Sequence, residues 1–191
     1  MTRLHDRQAD LVIHKPRHPM APGAGLVLLF HGVGSRAEDL RPLGEAVAAQ
    51  RPQDWVVSVR SPSPGDVGAG WQWFSVLGVT EENRPARVAA AMPAFQAAVL
   101  CWQREVGVDP AHTTLVGFSQ GAIMALEATQ VPGAALAGRV ISLAGRFAQE
   151  PRRRPLETNI HLMHGDEDRV MPVALAVNAD RHLRALGART T

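Results

Sequence analysis

The chain has 191 residues, 46% of them hydrophobic and 20% charged, with a formal net charge of +2. That length and balance suit one soluble domain with a sizeable core, and they exclude a membrane-spanning bundle and a strongly basic nucleic-acid binder. A single cysteine, Cys101, excludes an intrachain disulfide and fits a reducing compartment, where it reads as a packed thiol.

Residues 1–7 lack the apolar core of a secretory signal, and the longest apolar run, residues 26–30, is far too short to span a bilayer. A cytoplasmic address is therefore expected. In chain order, residues 9–14 predict a first strand, followed by a proline-rich turn over 16–22. Leu26, Val27, Leu28, Leu29 and Phe30 form a continuous apolar run, the pattern of a central strand buried on both faces. It leads into the glycine-rich loop His31-Gly32-Val33-Gly34-Ser35. Residues 38–50 place Leu40, Leu43, Val47 and Ala48 on one helical face. A strand over 55–59 is broken by Ser61-Pro62-Ser63-Pro64-Gly65, and residues 65–83 read as irregular. Residues 86–106 predict a long helix in which Pro93 should cause a kink or lie near the start.

Leu115-Val116-Gly117-Phe118-Ser119-Gln120-Gly121 organises the rest of the sequence. It reads as a buried strand, a sharp turn with a serine at its tip, and the start of a helix over 121–129. This G-x-S-x-G spacing is that of a nucleophile elbow, in which small residues let strand and helix pass closely. Ser119 is the expected nucleophile, with the positive end of the helix dipole behind it. Strands follow at 139–143 and 159–164, separated by a proline- and arginine-rich loop over 145–158 whose length would allow it to cover the site. Its Arg152-Arg153-Arg154 run reads as a solvated loop in preference to an anion site. A helix from Pro172 to about residue 186 completes the pattern. Alternating strands and helices predict an α/β fold with a mostly parallel sheet, carrying function at the carboxyl ends of its strands.

A serine attacks a carbonyl only when a base takes its proton and donors stabilise the oxyanion. The backbone N–H of Gln120 and that of Val33 are the candidate donors; Gly32 and Gly34 as plain turn residues are the lesser reading, because loop and elbow occur together. Asp168 lies after a strand, where the acid that orients a catalytic histidine belongs. Asp166 is its competitor and reads instead as a capping turn residue. His161, His164 and Asp166 make a poor metal set, because strand residues three apart face opposite sides. These residues therefore predict no metal site.

Several stretches carry a resemblance. They are Phe30-His31-Gly32-Val33-Gly34, Trp73-Phe74-Ser75, Gly117-Phe118-Ser119-Gln120-Gly121 and the run His164-Gly165-Asp166-Glu167-Asp168-Arg169-Val170-Met171-Pro172. In order and spacing the chain resembles the phospholipase/carboxylesterase family of α/β-hydrolases, which includes acyl-protein thioesterases and small bacterial esterases. The resemblance implies hydrolysis of small carboxylic esters or acyl thioesters by Ser, Asp and His, without a metal or other cofactor. Ser119 would be the nucleophile, Asp168 the triad acid, and Val33 and Gln120 the oxyanion donors. Trp73 and Phe74 would wall the acyl pocket, unless their role is purely structural.

Family members place the triad histidine in a Gly-His pair after one further strand, and this sequence has no such pair after Asp168. His182, about ten residues into the last helix, would sit about 15 Å along its axis, which makes it a surface residue. His31 and His164 lie nearer, but their family counterparts hold loops in shape. The expectation is one α/β-hydrolase domain over 1–191, C-terminally incomplete, lacking the last strand and helix and impaired for want of its base. Its exposed last strand would invite association, so a homodimer is among the expectations. A catalytically inactive hydrolase-fold domain that acts in binding or as a scaffold is the alternative. A dinucleotide site at residues 31–34 is disfavoured, because no G-x-G-x-x-G follows that strand.

Overall fold

The computed structural model describes residues 5–18 and 23–191. Residues 1–4, and 19–22 within the expected proline-rich turn, lie outside them. The main sheet has six strands: β1 (Leu11–His14), β2 (Leu26–Phe30), β3 (Trp55–Val59), β6 (Thr113–Phe118), β7 (Arg139–Leu143) and β8 (Asn159–Met163). Their order is β1-β3-β2-β6-β7-β8. Only β1 runs antiparallel, and its register shifts between Val12 and His14. Two short strands pair separately: β4 (Ser63–Pro64), in the expected break after β3, and β5 (Trp71–Gln72), in the segment expected to be irregular.

All five residues of β2 are buried, as its unbroken apolar run requires. Leu26, Leu28 and Phe30 join the larger core, whereas Val27 and Leu29 face the smaller one with Leu43 and Val47 of helix α1 (Arg41–Gln50). A short 3₁₀ turn, Ala37–Leu40, precedes α1, which starts three residues later than expected, with a proline in its first turn. Helix α2 (Arg84–Val106) contains Pro93. A proline would cost about 3 kcal/mol in an isolated helix interior. Val88, Met92, Phe95, Val99 and Trp102 are buried along α2, each contributing about 1.5–3 kcal/mol, so the helix runs through Pro93.

Helices α3 (Gln120–Ala128) and α4 (Ala174–Ala185) complete the larger core, α4 through Ala179 and Leu183. The α1 side is less evenly covered. Over β6, β7 and β8 its apolar side chains stay accessible: Phe118 is 46% exposed, Met163 54%, and Ile141 and Leu143 are half-buried. Beyond α4 the chain returns to β8, where Thr190 pairs in parallel with Ile160. The Ile160 N–H donates to the Arg189 carbonyl (3.0 Å) and the Leu162 N–H to that of Thr191 (2.8 Å). No helix of the described residues is long and apolar enough to cross a membrane.

The strand order fixes the site. The chain leaves β2 through α1 towards β3, and leaves β6 through α3 towards β7, so successive connections diverge between β2 and β6. Such a switch point opens a crevice at the carboxyl ends of the strands. The 31–35 loop and Ser119 both lie there.

Candidate active site

Ser119 joins β6 to α3 with φ 50° and ψ −111°, a conformation that side chains with a Cβ rarely adopt. Close packing enforces it. A Cβ on Gly117 would collide with the backbone of Ala122, and one on Gly121 with the carbonyl of Phe30. The Ser119 N–H donates to the Leu143 carbonyl (3.0 Å) and its carbonyl accepts from Ile123 (3.0 Å), which ties the turn to β7 and to α3. The β2 loop comes close to the elbow at Gly32. A Cβ built on Gly32 would lie 3.4 Å from the Cβ of Ser119.

Within that loop the N–H of Gly34 donates to Trp71 (2.9 Å) and that of Ser35 to Gly32 (3.3 Å). The N–H groups of Val33 and Gln120 have no acceptor among the described residues. Free amides beside a serine at a helix N-terminus can receive a developing oxyanion.

Asp168 follows β8 in a tight turn. Its Oδ1 accepts from the N–H groups of Met171 and Val170, both at 2.9 Å. These bonds, that of Met171 first, hold its carboxyl below the usual carboxylate range and keep it ionised at neutral pH. Its other oxygen, Oδ2, lies 3.6 Å from Nε2 of His164.

The histidines near the site are engaged elsewhere. His31 is fully buried, with Nδ1 2.8 Å from the Gly32 carbonyl. Nε2 accepts the Ser61 N–H at 3.2 Å, which assigns the proton to Nδ1. Burial also lowers its pKa, so it is a neutral brace of the loop. His164 places Nε2 2.5 Å from the Met171 carbonyl, and its Nδ1 is buried without a partner. His182, on α4, lies across a cleft from Glu150 (3.8 Å). No described histidine is hydrogen-bonded to the Ser119 hydroxyl, and no described cluster of three His, Cys, Asp or Glu could hold a metal ion.

Trp73 and Phe74 are both buried. The Trp73 ring packs edge-on against Phe95, centroids 5.1 Å apart, and lies 6.0 Å from Phe30, so its main contacts are with the core beneath the site. Both residues also border an open cavity of about 450 Å³ with Leu77, Ala90 and Ala91. The 145–158 loop is no free flap. Glu127 accepts the Ala148 N–H (2.7 Å), and Gln130 accepts from Arg152 (2.8 Å) and Arg153 (2.9 Å), which pins the loop along α3.

A role the sequence did not reveal belongs to the Gln120 side chain. Its Oε1 accepts the Trp73 N–H (2.7 Å) and its Nε2 donates to the Phe74 carbonyl (2.8 Å). Only the position directly after the serine marked it, and that position pointed to its backbone.

Residues 9–191 match the family described as Phospholipase/Carboxylesterase. Esterase YpfH of Escherichia coli (strain K12) is 47% identical over 174 residues, covering 91% of this chain and 74% of that protein. The crystal structure of esterase PE8 superposes with a TM-score of 0.78 at 29% identity, covering 93% of this chain and 84% of that one. A carboxylesterase of Bacillus cereus shares the fold at 18% identity and a TM-score of 0.74, over 90% of this chain and 78% of that one. With its elbow, parallel sheet and flanking helices, this chain belongs to the phospholipase/carboxylesterase family of α/β-hydrolases, which are carboxylic-ester hydrolases.

Proposed function

We propose that this chain is a serine hydrolase of small carboxylic esters or acyl thioesters, impaired as it stands because its 191 residues supply no base to Ser119. The strained Ser119 turn, with the free amides of Val33 and Gln120 beside it, carries this reading. The Ser119 oxygen attacks the carbonyl carbon and its proton passes to a base. The carbonyl oxygen becomes an oxyanion held by the two amides. Expulsion of the alkoxide or thiolate leaves an acyl-serine, which water then hydrolyses. Asp168, ionised and with Oδ2 free of backbone bonds, is the group to orient an imidazolium. Substrate contact by Trp73 and Phe74 belongs to the same proposal, Phe74 being the better candidate because the Trp73 ring is committed to the core.

Without a histidine a serine enzyme of another fold loses on the order of 10⁶ in turnover, while its oxyanion hole retains about 10³ over water. The test is hydrolysis of p-nitrophenyl butyrate by the chain and by Ser119→Ala, with and without imidazole. We expect a slow serine-dependent rate that imidazole raises. Serine-dependent turnover at about 1 s⁻¹ or faster without imidazole would mean that the base lies within these residues. Identical rates for the two folded proteins under both conditions would remove Ser119 as the nucleophile.

A further inference from the structure

The two amides assigned to the oxyanion come from segments far apart in sequence that pack together at Gly32 and Ser119, but no hydrogen bond among the described residues joins the 31–35 loop to Ser119 or Gln120. The 31–35 loop is glycine-rich, with Gly34 at φ 74°. It is held sideways by β5, where the Gly34 N–H donates to the Trp71 carbonyl (2.9 Å) and the Trp71 N–H to that of Ser35 (2.8 Å). Close packing reinforces this contact, since a Cβ on Gly70 would strike the Gly34 carbonyl. Two residues beyond Trp71 the chain meets the Gln120 carboxamide, which takes the Trp73 N–H and donates to the Phe74 carbonyl. Gln120 is only 3% exposed. Val33 is therefore connected to Gln120 by a short path: Gly34 to Trp71, along the chain to Trp73 and Phe74, and through the carboxamide to the elbow.

We propose that the Gln120 side chain is a positioning group for the oxyanion site, setting the place of the Val33 amide through Trp71–Phe74 while its own backbone N–H is the second donor. The proposal rests on Ser119 being the nucleophile. An amide suits the task because it offers one acceptor and one donor on one rigid plane, matching an N–H and a carbonyl on consecutive residues. Methionine would match its shape and offer neither. A glutamate would keep the acceptor and lose the donor, and on protonation would recover both.

The experiment compares the wild-type chain with Gln120→Met, Gln120→Glu and Ser119→Ala. Fluorophosphonate labelling of Ser119 is measured as a ratio to wild type at each pH, and amide exchange is followed at Gly34, Trp71 and Ala144. Ala144 donates to Met163 outside the path and serves as the control. We expect Gln120→Met to slow labelling about 10- to 100-fold and to speed exchange at Gly34 and Trp71 but not at Ala144. Gln120→Glu should show the same defect at neutral pH and recover both properties as the pH falls through its carboxyl pKa. A general loss of stability would instead move all three amides together.

Wild-type labelling and exchange in Gln120→Met would overturn the proposal, as would slow labelling with Gly34 and Trp71 exchange unchanged. Should Gln120→Met fail to fold, the Gln120→Glu pH series decides, and a defect that acid does not relieve counts against the proposal. If wild type resembles Ser119→Ala in labelling even with imidazole added, the nucleophile assignment fails, while the exchange comparison still decides whether Gln120 holds the loop.

Discussion

At Ser119 a side chain is held where glycine would rest more easily. The conformation at φ 50° and ψ −111° costs about 1–3 kcal/mol for a residue with a Cβ, and the packed glycines on either side leave no room to relax it. Ser119→Gly should therefore be more stable than Ser119→Ala by about 1 kcal/mol, read from urea unfolding midpoints at equal slope. An equal or lower midpoint would show that the turn stores no such strain. Ser119 and the glycines around it were legible because their spacing is local. The carboxamide of Gln120 was not, since its partners Trp73 and Phe74 lie more than forty residues away and nothing at either position signals the other. The packing of Trp73 was hidden for a related reason. An aromatic beside a site reads as a pocket wall, yet Phe30 and Phe95 claim its ring.

The α3 helix shows how one element serves two ends of the molecule. Its first residue flanks the elbow, and near its other end Glu127 and then Gln130, just beyond the helix, secure the 146–153 stretch. Length and proline content alone suggested a covering loop there, because a buried carboxylate on a neighbouring helix leaves no trace in the loop's own composition. Burial raises the Glu127 pKa, against bonds from Ala148 and the nearby Arg152. A carboxyl with a raised folded pKa stabilises fully below its unfolded value, near 4.5, and that contribution is lost as pH rises through the folded pKa. Glu127→Gln keeps an acceptor for the Ala148 N–H and removes the titration. The stability of wild type relative to Glu127→Gln should accordingly fall as pH is raised from about 4 to 7. Thermal unfolding of both proteins across that range checks it, and a gap that is flat or widens in wild type's favour would contradict the assignment. The β4–β5 pairing escaped detection for a simpler reason: two-residue strands within a glycine- and proline-rich segment have no periodicity to read.

Across the whole molecule, the parallel sheet was legible from alternating apolar runs and helical faces, and each main strand falls close to its expected place. The order of strands was not, because period and propensity say which segments are strands but not which are neighbours. Pairing of residues 189–191 with β8 is likewise a long-range outcome. Deleting those three residues frees the N–H groups of Ile160 and Leu162, so amide exchange at both should quicken while Ala144, bonded to Met163, stays protected. Equal protection in both proteins would mean that the short pairing does not persist in solution.

The placement of β2 has a consequence for how the molecule is made. Leu26 pairs with Trp55 on one side and with Thr113 on the other. The first partner is available early in synthesis, whereas the second must wait for α2 and everything before β6. Closing that long loop sacrifices chain entropy before any contact repays it, and such topologies fold slowly. Until it closes, one edge of the most apolar strand stays open to whatever else is in the cell, and the nucleophile and the amides meant to serve it lie on chain segments that have not yet met. Assembly of the sheet's centre and assembly of its chemistry are thus one event, and a nascent chain released before β6 is complete would need a chaperone more than a substrate.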